Sequence, residues 1–160
     1  MTSTKRCGYH IRRRYSAPPA VVFAILADAP TWKTWARPLI LSSRWERSPG
    51  TNPGGVGAIR STGTWPVLIR EEITAFDPAQ RLSYRFVGRI VPVRDYQATI
   101  TFTENAQGGT TLSWKASFTP IVRGTGALVN VVVRSTVAFL AWRLTKESTR
   151  QAASSRSVGE

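Results

Sequence analysis

The sequence predicts an α+β fold. A seven-stranded antiparallel sheet wraps around one long C-terminal helix, and two short helices follow the first strand. Two observations predict it. Segment 124–150 contains no proline, opens at Gly124 and Gly126, and is apolar around most of its circumference. Segments 94–103 and 110–119 alternate apolar and polar residues at every second position, which builds a sheet with one apolar face. That face needs a cover, and the long helix is the only element large enough to supply it.

Composition sets the outer limits. At 160 residues the chain is long enough for one domain with a real core. We divide it into a loose arm at 1–8, a domain at 9–150 and a disordered tail at 151–160. A single cysteine, Cys7, excludes an intramolecular disulfide and fits a cytoplasmic setting. With one histidine, His10, and no cysteine cluster, the sequence implies no metal site, and it implies no cofactor. The first residues are polar and basic with no apolar run behind them, unlike a secretory signal. The formal charge of +13 admits nucleic acid or an anionic surface as partner. The basic residues are scattered, however, and no helix-turn-helix, zinc-finger or RNA-binding signature accompanies them, so nucleic acid is not favoured. An anionic membrane surface is the better functional alternative to a merely solvated basic exterior.

In chain order, 9–16 alternates as a first strand, with Tyr9, Ile11, Arg13 and Tyr15 on one side. Ala17-Pro18-Pro19 ends it and opens a helix at 20–27, since proline suits a first helical turn. A second short helix at 31–36 carries Trp32 and Trp35. Segment 39–47 alternates again, and the turn-rich 48–55 follows. Segments 57–64 and 67–76 read as strands joined at Trp65-Pro66, and 81–88 as another strand with Leu82, Tyr84 and Phe86 on one face. Tyr96, Ala98, Ile100 and Phe102 point inward from the next strand, and Leu112, Trp114, Ala116 and Phe118 from the last. On the long helix, Val129, Val132, Thr136, Phe139, Leu140 and Arg143 share a face. Its apolar section, 127–142, includes Asn130 and Arg134 and falls short of the ~20 residues of a membrane span. So apolar a helix is expected to be buried on most of its surface.

Three stretches go further. SAPPAVVFAILADAPTWKTW opens with a proline-led helix and passes through Ala-Asp into a tryptophan-bearing turn. IREEITAFDPAQRLSYRF joins an acidic strand through Phe-Asp-Pro to an aromatic one, and GGTTLSWKASF is the last strand. Together they resemble the START-like, Bet v 1-like superfamily, specifically its polyketide cyclase/dehydrase group, over residues 9–150. The resemblance implies a helix-grip fold with a cavity between sheet and helix. Members bind lipids, sterols, polyketides, quinones or hormones, and some are aromatases or cyclases. No catalytic motif is shared across the group.

Within that frame, Tyr84, Phe86, Tyr96, Trp114, Val132, Thr136 and Phe139 are the expected ligand-binding wall. Trp32 and Trp35 are candidates for the cavity mouth. The leading expectation is a binding protein for a small, largely apolar molecule. The enzymatic alternative is an aromatase/cyclase or dehydratase with Glu71 and Tyr84 as acid–base groups. Glu71 faces inward if Ile69 and Ile73 do. Burial then raises its pKa unless a cation such as Arg60 or Arg85 pairs with it. A one-residue bulge would turn it outward, and a structural ion pair would leave it without chemistry. A basic adaptor at an anionic membrane or nucleic acid is the third class.

Overall fold

The structure, a computed structural model, describes residues 5–51 and 53–157. Seven strands form one antiparallel sheet: β1 (Cys7–Tyr15), β2 (Ser42–Arg47), β3 (Ile59–Thr64), β4 (Val67–Asp77), β5 (Arg81–Val87), β6 (Val93–Glu104) and β7 (Thr110–Pro120). Their order across the sheet is β1-β7-β6-β5-β4-β3-β2. Sequence neighbours from β2 to β7 are joined by turns. The crossing from β1 to β2 is made by α1 (Pro19–Ala27), a single 3₁₀ turn and α2 (Trp32–Trp35). The long helix α3 (Gly126–Ser157) closes the fold.

Register follows the apolar alternation. Ile100 faces Trp114 across the β6–β7 ladder, and Phe102 faces Leu112. All four are buried on the inner face. Phe23 of α1 packs edge-on against Phe76 and Phe102, which seats α1 over one end of the sheet. The β3–β4 hairpin turns on Trp65-Pro66. Gly63 precedes it at φ 147°, where a Cβ would collide with the Val67 carbonyl oxygen.

Several sequence expectations need correction. Cys7 and Gly8 pair with Phe118 and Ser117 in β1 instead of lying in a loose arm. Residues 151–157, expected as tail, continue α3; the remaining arm and tail residues, 1–4 and 158–160, lie outside the described residues. Segment 39–41 is not strand, and β2 begins only at Ser42.

The largest correction concerns α3. Its inner stripe is Val133, Val137, Leu140, Leu144 and Ser148, one residue step away from the face read in the sequence. The helix is anchored through its second half. Tyr15 donates to the Ala141 carbonyl at 2.8 Å, the Arg13 guanidinium to Thr145 Oγ1 at 3.0 Å, and the Arg143 guanidinium to the Trp35 carbonyl at 2.8 Å. The first half is largely uncovered, with Leu128 67%, Val131 61% and Val132 56% exposed. By length and composition α3 is sufficient to cross a membrane, contrary to the shorter apolar section read from sequence. Among its described residues only the inner stripe, Val137, Leu140, Ala141, Leu144 and Ser148, is buried in the protein.

Leu144 is fully buried while Trp142 stands 40% exposed two residues away. Leu144→Ala should therefore cost about 2–5 kcal/mol in urea denaturation. Trp142→Ala should cost less than about 1 kcal/mol. Equal losses would contradict the phase assigned to α3.

Candidate functional site: a cavity between the sheet and the long helix

Where the first half of α3 stands off the sheet, a cavity of about 600 Å³ opens. β3 to β7 form one wall and Val132, Val133, Thr136, Val137 and Leu140 the other. Of the expected ligand-binding residues, Trp32, Tyr84, Phe86, Tyr96, Trp114, Val132 and Thr136 all line it. Trp35 and Phe139 do not. Trp35 is buried against Trp32, with ring centroids 5.0 Å apart, and faces a separate depression beside Arg143. Phe139 packs on Trp142 at 5.7 Å, because the one-step rotation of the helix turns it away from the sheet.

Sequence reading missed other parts of the wall. Leu39 and Ile40, the Thr62–Val67 hairpin and the 90–92 loop all contribute. The exposed apolar residues at turns, Trp65 and Ile90, were the signal that could have found them: turns are ordinarily polar.

The cavity is mostly hydrocarbon and aromatic ring, with a polar cluster on the strand side. The hydroxyls of Tyr9 and Tyr96 lie 2.5 Å apart. Trp114 Nε1 donates to the Tyr84 hydroxyl at 3.2 Å. Tyr84 and Tyr96 lie side by side, with ring centroids 6.2 Å apart. Phe86 stacks on Tyr96 at 3.7 Å between centroids, which fixes the plane of that phenol.

Glu71 faces inward, as the positions of Ile69 and Ile73 require. The ladder irregularity of β4 lies between Ile73 and Ala75, beyond Glu71, so it does not turn the carboxylate outward. Arg60 stands directly opposite on β3. Its Nε donates to Glu71 Oε2 at 2.5 Å, and its Nη1 to the Leu26 carbonyl in the last turn of α1 at 3.0 Å. The Arg60 guanidinium also lies over the rings of Trp32 at 4.4 Å and Tyr84 at 5.1 Å. Arg85, the other candidate cation, pairs with Glu72 on the outer face. Of the two roles, structural pairing is the one the geometry supports directly.

Burial raises the phenol pKa of all four tyrosines, Tyr9, Tyr15, Tyr84 and Tyr96, above the ordinary value of 10.0. For Tyr84 the charge of Glu71 adds to the rise. At neutral pH Tyr84 and Tyr96 are therefore hydrogen-bond donors and acceptors, not phenolate bases.

Fold and cavity together define a Bet v 1-like, START-like protein. The sequence profile of the family described as "Polyketide cyclase / dehydrase and lipid transport" matches residues 9–155, and the chain belongs to that family. The structure is similar to that of Ara h 8.0201, with TM-score 0.74 and 16% identity over 91% of this chain and 99% of that one. It is also similar to a putative uncharacterized protein from Bacillus thuringiensis (TM-score 0.70, 18% identity, 89% and 99% covered). The protein XoxI from Bacillus cereus is a third such neighbour (0.71, 18%, 89% and 96%). At these identities the neighbours show the fold alone. No curated protein sequence matches the chain.

Two measurements check the site. Glu71→Gln leaves Arg60, itself 0% exposed, without its salt-bridge partner, and should cost about 3–5 kcal/mol of stability in chemical denaturation. A double replacement by apolar residues of similar volume should recover most of it; a single-variant cost near zero would contradict the pairing. The second is an alkaline titration. Above pH 10 an unfolded chain releases its phenolic protons while the folded chain keeps them, so stability falls as pH rises through and beyond that value. Tyrosinate absorbance should stay absent from the native protein near pH 10 and appear together with unfolding. Independent ionisation of any tyrosine near pH 10 in the folded protein would contradict their burial.

Proposed function

We propose that the protein binds a small, largely apolar molecule carrying one hydrogen-bonding group, with its apolar body along α3 and its polar end at Tyr84 and Tyr96. The observation that carries this is the cavity itself. It is large enough for a lipid-like, polyketide-like or quinone-like molecule, its walls are chiefly apolar, and Tyr84, Tyr96 and Glu71 place polar groups on its strand side. The family description, which names lipid transport beside cyclase and dehydrase, supports the same ligand class.

The enzymatic alternative draws on Glu71 and Tyr84 lining the same space. Tyr84 suits it as a proton donor to a ligand carbonyl. Glu71 is less suited to be a base while Arg60 holds it. An aromatase/cyclase or dehydratase of this kind would lose turnover in Tyr84→Phe and keep its binding.

Titration with Nile red, a neutral apolar fluorophore, tests the binding reading. Saturable one-to-one binding is expected for the wild type. Thr136→Trp, which fills the cavity from the helix side, should weaken it by at least about tenfold, because a close-packed interior does not absorb extra volume freely. Trp142→Ala should leave it unchanged. No binding, or binding indifferent to Thr136→Trp, would overturn the proposal.

A further inference from the structure

The exposed apolar residues are not spread over the surface. Leu41 donates its backbone N–H to the Gly63 carbonyl, and Ile121 donates to Pro92. Gly126 approaches Cys7 and Pro120. These contacts bring the turn before β2, the β3–β4 hairpin, the β5–β6 loop and the start of α3 to one end of the molecule. Among the described residues, every large hydrophobic side chain that is exposed lies at this end except Val56 and Trp142. The most prominent are Trp65 82%, Leu128 67%, Val131 61% and Val122 55% exposed. So concentrated an apolar patch marks an interaction surface. It is continuous with the cavity, since Trp65 and Val132 belong to both.

The charge at this end is one-sided. Segments 37–41, 62–67, 88–95 and 120–136 contain a single acidic residue, Asp95. Arg37, Arg89, Arg94 and Arg134 are exposed there and take part in none of the ion pairs among the described residues. Apolar side chains ringed by arginines match the layered chemistry of an anionic bilayer, with acyl chains below and negative headgroups above. A protein partner of high affinity would have to answer both features with an acidic ring around an apolar centre. A second copy of this chain would bring like charge to like charge, and a net charge of +13 opposes that face-to-face contact.

We infer that the protein docks by this end on anionic lipid membranes, with the Trp65-Pro66 hairpin, the 88–92 loop and the first turns of α3 inserted among the headgroups. The cavity mouth then opens toward the bilayer, and an apolar ligand can pass between the two without crossing water. This rests on the ligand-binding reading for its purpose but not for its test.

Co-sedimentation with vesicles decides it. Phosphatidylcholine vesicles containing phosphatidylglycerol should bind the wild type, and pure phosphatidylcholine vesicles should bind far less. Binding should weaken with added salt. Arg89→Glu and Arg134→Glu should each lower affinity by about fivefold or more, the effect of one basic group near such a surface. Trp65→Ser should lower it by about tenfold, and Val56→Asp at the far end should leave it unchanged. Circular dichroism melting of each variant separates lost docking from lost folding. No binding to anionic vesicles at low salt overturns the inference, as does binding that Trp65→Ser and both arginine variants leave intact. Sedimentation velocity showing a dimer that Trp65→Ser disperses, without vesicle binding, overturns it in favour of self-association. The Nile red titration keeps the two readings apart. Vesicle binding without probe uptake would sink the cavity proposal alone, and probe uptake without vesicle binding would sink docking alone.

Discussion

A buried cation organises the strand side of this protein. Arg60 is fully enclosed, and a guanidinium in that position is tolerable only if its charge is answered locally. Glu71 answers it across the β3–β4 ladder, the Leu26 carbonyl answers it from the C-terminal end of α1, and the rings of Trp32 and Tyr84 cover its faces. One side chain thereby ties together α1, α2, β3, β4 and β5. Trp32 donates its indole N–H to the same Leu26 carbonyl at 3.2 Å, which fixes α2 relative to α1. The pair is costly to break, and that gives it value as a register device: a one-residue slip of β4 would turn Glu71 to the outer face and leave Arg60 buried alone.

The cavity is the consequence of two different ways of covering one sheet. The second half of α3 is held tightly, by Tyr15 and Arg13 from β1 and through Arg143 at α2. The first half has no such ties among the described hydrogen bonds and runs above β3 to β6 at a distance. Large aromatic side chains fill part of that gap and brace one another: Phe86 on Tyr96, Tyr96 beside Phe118, Tyr84 edge-on to Trp114. Their hydroxyls are satisfied mainly by each other, which lets polar groups persist in an apolar enclosure and stay neutral there. The remaining space is about 600 Å³, too large to be a packing defect in an interior of ordinary density.

Much of this was legible in the sequence wherever period-2 alternation was clean. β6 and β7 carry one apolar residue in two, and all the residues assigned inward from them are buried or half-buried. The alternation of β5, β6 and β7 put Tyr84, Phe86, Tyr96 and Trp114 on the cavity wall. The helix was legible as an element but not in its phase. A segment apolar on nearly every side carries little phase information, so Phe139 was assigned inward and the true stripe through Val133 and Val137 was displaced by one step. The same apolarity was read as burial, when half of it belongs to an exposed end. Turn residues were the least legible: Leu39, Trp65 and Ile90 have no periodicity, and only the folded chain shows that they meet around one opening.

The central claim is that a ligand occupies the space between the sheet and the first half of α3, with its polar end at Tyr84 and Tyr96. Amide and aromatic NMR shifts, followed while the isotope-labelled protein is titrated with a long-chain alcohol, test it most directly. The account predicts saturable shifts centred on Tyr84, Tyr96, Val132 and Thr136, with the depression beside Trp35 and Arg143 unmoved. Shifts confined to that depression or to the outer face of the sheet would contradict it, as would a spectrum unchanged across alcohols that fit the cavity.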